Sequence, residues 1–278
     1  MRITVVAPSR PVLPEVAERV TRLAAERWGG AVEVSFHPQC FLSEGHFAGS
    51  DWARAEAFAE AANDPEAGAV WFGRGGYGAM RMAEAAMAGL GPAAATKAYL
   101  GYSDGGVLLA ALHGAGIGRP AHGPMPDDIR RDGGEAAVLR ALAWLVNGDP
   151  GALEPGLAGD PGPPLPFNLA ILTSLLGTPW EPEFEGRTLL LEEVGEPTYR
   201  TDRMLGQLFH HPGVRRAAGV RMGRFSQVQP NDPEFGRAEA EIVEEWCRRA
   251  GVPFLGSAEI GHDADNTVVP FPAGGGGG

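Results

Sequence analysis

Lysine is all but missing from this chain. Lys97 is the only one among 23 basic residues, so the positive charge is carried by arginine. The scarcity goes with a heavy load of alanine, glycine and proline, and no function follows from it. Cysteine is nearly as rare. Cys40 and Cys247 are too few, in 278 residues, for a disulfide framework, and they read as two reduced, partly buried thiols. Positive charge is itself in short supply: 35 acidic residues against 23 basic ones leave a net charge of −12. That argues against a nucleic-acid partner, because phosphate neutralisation needs a basic surface. Long apolar runs are absent too. No stretch approaches the ~20 residues that span a bilayer. The opening MRITVVAPSRPVLPEV has only a short apolar run, broken by Pro8, unlike a signal peptide. The expectation is a soluble, cytoplasmic protein with no membrane contact.

What is present is a sizeable apolar fraction, 44% of the chain, enough for one large core or two small ones. The first half alternates strand and helix. RITVVA, VEVSFH, AGAVWF and KAYLGY read as strands. PEVAERVTRLAAERW reads as a helix with Val16, Val20, Leu23 and Ala24 on one face and Gly29-Gly30 as its stop. SDWARAEAFAEAAN, capped by Ser50 or Asp51, AMRMAEAAMAGL and GGVLLAALHGAG read as further helices. Such alternation implies a mostly parallel sheet with helices on both faces. Residues 148–166 are a Gly/Pro stretch without periodicity, read as a linker or crossover. Beyond it come a helical run at 167–176, a strand RTLLLEE, a helix near 202–210, a strand AAGVRMGRF, a long helix at 233–250, and short strands in VPFLGS and TVVPF. The expected fold is therefore α/β, with an N-terminal doubly wound, mostly parallel sheet domain (1–147) and a smaller mixed α/β C-terminal domain (167–272). A flexible tail is expected at 273–278.

Two glycine motifs compete. Gly73, Gly75 and Gly78 spell G-x-G-x-x-G between a strand and a helix, as a dinucleotide loop requires. It lies in the third βα unit rather than the first, however, and the next strand ends in Ser103-Asp104 without the expected ribose-binding acid. Gly101, Ser103 and Gly105 spell G-x-S-x-G, also between strand and helix. That is the context of a nucleophile elbow, which lifts a serine hydroxyl above the carboxyl edge of the sheet. Ser103 could equally be only a helix cap. Both motifs fit one reading if the two loops lie side by side. The N–H of Asp104 and the glycine turn at Gly75 and Gly76 would then form an oxyanion hole.

The chain resembles the LD-carboxypeptidase family of serine peptidases, which includes muramoyl-tetrapeptide carboxypeptidases and microcin-immunity peptidases. The resemblance rests on APS (7–9), FAGSDWAR (47–54), RGGYGAMR (74–81), GYSD (101–104), HGPM (122–125), LLGTPW (175–180), LLEEVGEPTYRTDRML (190–205), and GH (261–262) with Asn266 and Pro270. It implies a catalytic triad of Ser103 as nucleophile, His262 as base and Glu192 as acid, between two domains of a cytoplasmic homodimer, with no metal and no organic cofactor. The implied substrate is a murein tetrapeptide, cleaved at an L,D-bond to release terminal D-alanine, or, in the microcin branch, a peptidyl-nucleotide. The family's Gly-Gly-Asn-Leu appears here as Pro166-Phe167-Asn168-Leu169, so Asn168 is retained while Phe167 adds bulk that bears on substrate identity.

Other residues carry alternative readings. Asp104 is a substrate ligand or a helix cap. Arg74 and Tyr77 contact substrate, or Arg74 pairs with an internal carboxylate. Arg200, Asp202 and Arg203 read as an ion-pair set, and Asp127-Asp128 as a solvated turn. His37, His46, His113, His122, His210 and His211 read as solvated or capping residues. His262 with Asp263 and Asp265 is a rival metal site, though no second histidine lies at ligand spacing. Side chains alternate along a strand, so Glu192 and Glu193 face opposite ways. The family match assigns Glu192 to His262 and leaves Glu193 toward solvent or an ion pair. A non-catalytic protein holding an anionic ligand in the glycine turn is the remaining class.

Overall fold

The computed structural model describes residues 1–273; the glycines at 274–278, on which most of the expected tail falls, lie outside the described residues. Two sheets organise the chain. The first contains β1 (Arg2–Val6), β2 (Glu33–Phe36), β3 (Ala67–Phe72), β4 (Ala98–Gly101), β5 (Arg119–His122) and β10 (Val269–Pro270), in the order β10-β5-β4-β3-β1-β2. Its strands are parallel except β10, which pairs antiparallel with β5. The second sheet is parallel, β6 (Pro164–Asn168), β7 (Thr188–Val194), β8 (Gly219–Ser226) and β9 (Phe254–Ser257), in chain order.

The crossover helices form where the apolar period predicts. α1 (Pro14–Trp28) opens on a proline, buries Val16, Val20 and Ala24, and stops at Gly29 with φ of 58°. α2 (Asp51–Asn63) is capped by Ser50, whose hydroxyl accepts from Ala53 N–H at 3.1 Å. α3 (Ala79–Ala88), α4 (Gly106–Gly114) and α5 (Gly134–Asn147) complete the first set. α6 (Leu169–Leu175), α7 (Thr198–His210) and α8 (Glu239–Ala250) serve the second sheet.

Three local expectations change. The chain at 167–176 does not begin as a helix: Phe167 and Asn168 end β6, and α6 starts only where the Asn168 side chain caps it by accepting from Ile171 N–H. α8 starts at Glu239 rather than 233, where Glu241 reaches back to the Ala238 N–H. The Gly/Pro stretch is ordered by short 3₁₀ turns at Pro150–Ala152 and Leu157–Gly159, with Glu154 buried against Arg221 at 2.7 Å.

A continuous apolar cluster runs from Phe72 and Tyr99 through Val107 and Phe167 to Leu189 and Leu205, joining the two sheets in one core. Phe167 belongs to this core. It is 1% exposed, stacks edge-on against Phe271 at 5.5 Å and faces Gly106. The bulk it adds in place of a glycine is therefore interior packing, not a lining of the cleft.

Candidate active site

Strand β4 ends at Gly101, and the chain turns sharply through Ser103–Gly105 into α4. Ser103 has φ of 56°, one of two non-glycine residues with positive φ among the described residues. A serine pays strain to sit there, and the strain persists only where surrounding packing enforces it. The flanking glycines supply that packing. A Cβ on Gly101 or Gly105 would come within 2.5 or 2.7 Å of the Phe72 ring, so only glycine lets Phe72 pass under the elbow. The geometry is that of a strand–turn–helix elbow, and neither helix start there has a side-chain capping bond.

The glycine turn after β3 lies alongside. A Cβ built on Gly75 would meet Ser103 Oγ at 3.0 Å, so the bare Gly75–Gly76 backbone borders the hydroxyl. Gly76 and Gly78 hold φ of 129° and 148°, which strain any L side chain. Asp104 settles on the structural side of its two readings, by a route the sequence did not suggest. Its carboxylate is buried and accepts from the Ser9 hydroxyl and from Ala79 N–H at 2.8 Å, tying the loops after β1, β3 and β4 together. Burial raises its pKa, against the opposing pull of those donors and of Arg54. Its side chain caps α3, not its own helix.

Arg74 is partly buried, donates to Pro11 O at 3.2 Å and pairs with Asp127 Oδ2 at 3.4 Å, as the internal-carboxylate reading held. Tyr77 is half exposed, its ring 6.1 Å from that of Phe47 at the rim.

The second sheet contributes Glu192, the candidate acid. Glu192 in β7 is fully buried and its Oε2 accepts from His262 Nδ1 at 2.6 Å. His262, 8% exposed, sits in the loop between β9 and β10. Burial opposes ionisation of both. The mutual charge and hydrogen bond outweigh it, holding Glu192 below its ordinary pKa and His262 above its own. The imidazole lies beside the elbow: its ring centroid is 4.7 Å from that of Tyr102, the residue before Ser103. His262 Nε2 makes no hydrogen bond among the described residues. The rival metal triplet does not assemble, since Asp263 pairs with Arg224 and accepts from Asp265 N–H, and no metal-holding group of three His, Cys, Asp or Glu occurs among the described residues.

Glu193 corrects an expectation. It is not toward solvent but 3% exposed, accepting from Asn168 Nδ2, Ala170 N–H and Val194 N–H at 2.8–2.9 Å. Burial pushes its carboxyl up to about 7, with the Val194 and Asn168 donors opposing. Asn168 itself caps α6 and is the cross-strand neighbour of Glu192. Asp128 is likewise not in a solvated turn. It is buried and accepts from Tyr102 OH, Arg131 Nε and Met125 N–H, each at 2.8 Å, so it anchors the ring on which His262 leans.

Models of the LD-carboxypeptidase N-terminal and C-terminal domains match residues 3–123 and 162–274. A protein of Synechocystis sp. named as a carboxypeptidase is 31% identical over 97% of this chain and 88% of its own length. The chain belongs to the LD-carboxypeptidase family. The murein tetrapeptide carboxypeptidase of Pseudomonas aeruginosa is 29% identical over 97% of this chain and 91% of its own. The crystal structure of muramoyltetrapeptide carboxypeptidase from Oxalobacter formigenes superposes with a TM-score of 0.80 at 25% identity, covering 96% of this chain and 92% of that one. The microcin C7 self-immunity protein MccF, solved with glutamyl sulfamoyl guanosine among other ligands, shares the fold with a TM-score of 0.74 at 16% identity, covering 99% of this chain and 97% of that one. The dinucleotide reading of G-x-G-x-x-G gives way to a peptidase of this family.

Some neighbours of this candidate site escaped the sequence reading. Arg10 lies over Gly76, where a Cβ would strike its side chain, and its charge acts on Arg74, which shares the Asp127 carboxylate with Arg130. His122, read as solvated or capping, is 2% exposed beside Tyr102. The HGPM stretch was the one available signal for His122. Nothing in the spacing pointed to Arg10, which converges on the site only through the β1 loop.

Proposed function

We propose that this chain is a serine carboxypeptidase that hydrolyses an L,D-peptide bond and releases terminal D-alanine from murein tetrapeptides. The observation that carries the reading is the strained Ser103 elbow, φ of 56°, beside a buried His262–Glu192 pair at 2.6 Å. Ser103 Oγ attacks the scissile carbonyl carbon as its proton passes to His262 Nε2. Glu192 holds the Nδ1–H tautomer and stabilises the imidazolium. The tetrahedral oxyanion sits between the Asp104 N–H and the Gly75–Gly76 backbone. His262 returns the proton to the departing D-alanine nitrogen, the C–N bond breaks, and an acyl-serine remains. Water, deprotonated by the same histidine, then frees the acid and restores Ser103. Arg10 over Gly76, with Arg74 beside it, favours a substrate with a free carboxylate near the scissile bond, which suits an exopeptidase. The family membership and the relatives named for murein peptides support the same substrate class.

A serine-directed fluorophosphonate tests the mechanism. Mass spectrometry should find the adduct on Ser103. Ser103→Ala should stay folded, lose labelling and lose D-alanine release by ~10³-fold or more. Turnover by Ser103→Ala at the wild-type rate would end the serine reading. Cleavage of peptidyl-nucleotides with no release of D-alanine would replace the murein substrate by the one the MccF fold suggests.

A further inference from the structure

Glu192 has two carboxylate oxygens, and the pair with His262 occupies one. The other, Oε1, is buried and has no hydrogen-bond partner among the described residues. Two more buried polar atoms nearby share that condition: His122 Nε2 and Asn266 Nδ2. Buried polar atoms are rarely left unpaired, and one ordered water commonly satisfies about three of them. The orientation of Asn266 is not arbitrary. Its Oδ1 accepts from Gly261 N–H at 3.2 Å, which turns the amide nitrogen, a pure donor, the other way. Asn266 is fully buried and lies in the same loop as His262, and its amide neighbours the His122 ring.

His122 ends β5, with Gly101 of β4 on one side and Val269 of β10 on the other. It packs edge-on to Tyr102 with ring centroids 5.5 Å apart, and Tyr102 leans on His262 from its other neighbour position. One tyrosine ring thus contacts two histidines, and the charge of Glu192 acts on both. The charged and titratable groups around His122 are Glu192 from β7, His262 from the β9–β10 loop and Tyr102 from the elbow. Asp128 and Arg131 stand behind the tyrosine hydroxyl.

We propose that His122 and Asn266 are positioning residues for Glu192: the Nε2–H of a neutral His122 and the Nδ2–H of Asn266 donate to one shared buried water, which donates to Glu192 Oε1. This rests on the reading of Glu192 as the triad acid. The arrangement supplies donors to the second oxygen of the carboxylate, adding to the support its anion has from Asn168. It also favours the anion most when His262 is neutral, the state in which His262 acts as a base. Burial pushes His122 down to about 4, consistent with a donor that stays uncharged while His262 titrates.

The test combines kinetics with nitrogen NMR of the wild-type enzyme. His122→Ala and Asn266→Ala should lower kcat by about 10- to 100-fold with KM nearly unchanged, as expected for a mis-set catalytic group. They should also move the acidic limb of the kcat/KM profile, and the His262 imidazole titration, to higher pH. His122→Gln, which restores a donor near the Nε2 position, should recover most of kcat. In the wild type, His122 should remain a neutral Nε2–H tautomer from pH 5 to 8. Protonation of His122 within that range, an Nδ1–H tautomer, or folded variants with an unmoved His262 titration would overturn the proposal. If Glu192→Gln leaves kcat intact, the triad reading fails instead. If Glu192→Gln is impaired while the His122 and Asn266 variants behave as wild type, only the inference fails.

Discussion

Two adjacent glutamates show how far a single residue's surroundings decide its work. Glu192 and Glu193 are chemically identical and both buried, yet one accepts from an imidazole and the other from an asparagine and two backbone amides. Glu192→Gln keeps the shape but removes the charge that steadies the imidazolium, and kcat should fall by roughly 10²- to 10⁴-fold. The pH dependence follows from the sign of the His262 shift. Burial alone would lower its pKa, but Glu192 overrides that and raises it above the ordinary 6.5. The base works when neutral, so kcat/KM should climb with pH through a limb lying above 6.5, and Glu192→Gln should move that limb down. A limb below 6 in the wild-type profile would contradict the pairing. Glu193 has the opposite sign problem. Its carboxyl is raised from 4.5 to about 7, so ionisation costs folded-state stability above that range and costs nothing below 4.5. The stability of the wild type relative to Glu193→Gln should therefore decline between pH 4.5 and pH 7. The decline is bounded by about 3.5 kcal/mol, at ~1.4 kcal/mol for each of about 2.5 pKa units. Melting temperatures of the two proteins across that window check it, and a pH-independent difference would refute it.

At the scale of elements, the site depends on where regular structure is interrupted. The β7–β8 ladder slips between Leu191 and Glu193: Leu191 pairs with Met222 but Glu193 with Phe225, leaving Gly223 and Arg224 opposite Glu192 alone. Such bulges re-aim a side chain. Gly223 fits this bulge closely, since a Cβ there would stand 2.8 Å from Ile260 O and 2.9 Å from Glu192 Cβ. Gly223→Ala must push the backbone before His262 or the acid itself. We expect kcat to drop by about tenfold or more with less effect on KM, because the displacement falls on the pair proposed for catalysis and not on the glycine turn proposed to cradle substrate. Kinetics showing the loss mainly in KM would place Glu192 outside the catalytic step. The alternation rule predicted that only one of Glu192 and Glu193 could face His262, and only Glu192 does. It failed to predict that both would be buried, because in a parallel sheet covered on both faces neither direction leads to solvent.

At the scale of the whole molecule, the candidate triad is assembled from both sheets and held by a strand that returns from the second to the first. After leaving β9 the chain carries His262 past Glu192, then adds β10 antiparallel to β5, with Val269 opposite His122. Arg140, on α5 of the first half, fastens the loop by donating to Ala264 O at 3.0 Å and Asn266 O at 2.7 Å. Replacing it with methionine keeps much of the stem and removes both bonds. Arg140→Met should reduce kcat several-fold while lowering the melting temperature by no more than about 10 °C, since two bonds to a charged group contribute ~3–6 kcal/mol together at most. A large loss of stability with unchanged kcat in the remaining folded protein would show that Arg140 holds the fold and not the loop.

Local sequence determined a great deal here, and for a physical reason. The period of the apolar residues, the Ser50 cap, the stop at Gly29 and the strand–turn–helix setting of Gly101-Tyr102-Ser103 depend on neighbours a few residues away. So the α/β class and the strand–turn–helix setting of the elbow were legible, while the grouping of Ser103 with His262 and Glu192 is what the ordered run of family motifs implies. Only the tertiary structure decided the burial of Glu193, Asp128 and His122, the use of Asp104 as a staple between three loops, and the position of Phe167 inside the core. Each of those depends on partners 25 or more residues distant, or on a helix layer covering a sheet face. No spacing in a single chain encodes them, because burial and pairing across the fold are fixed by packing and not by period.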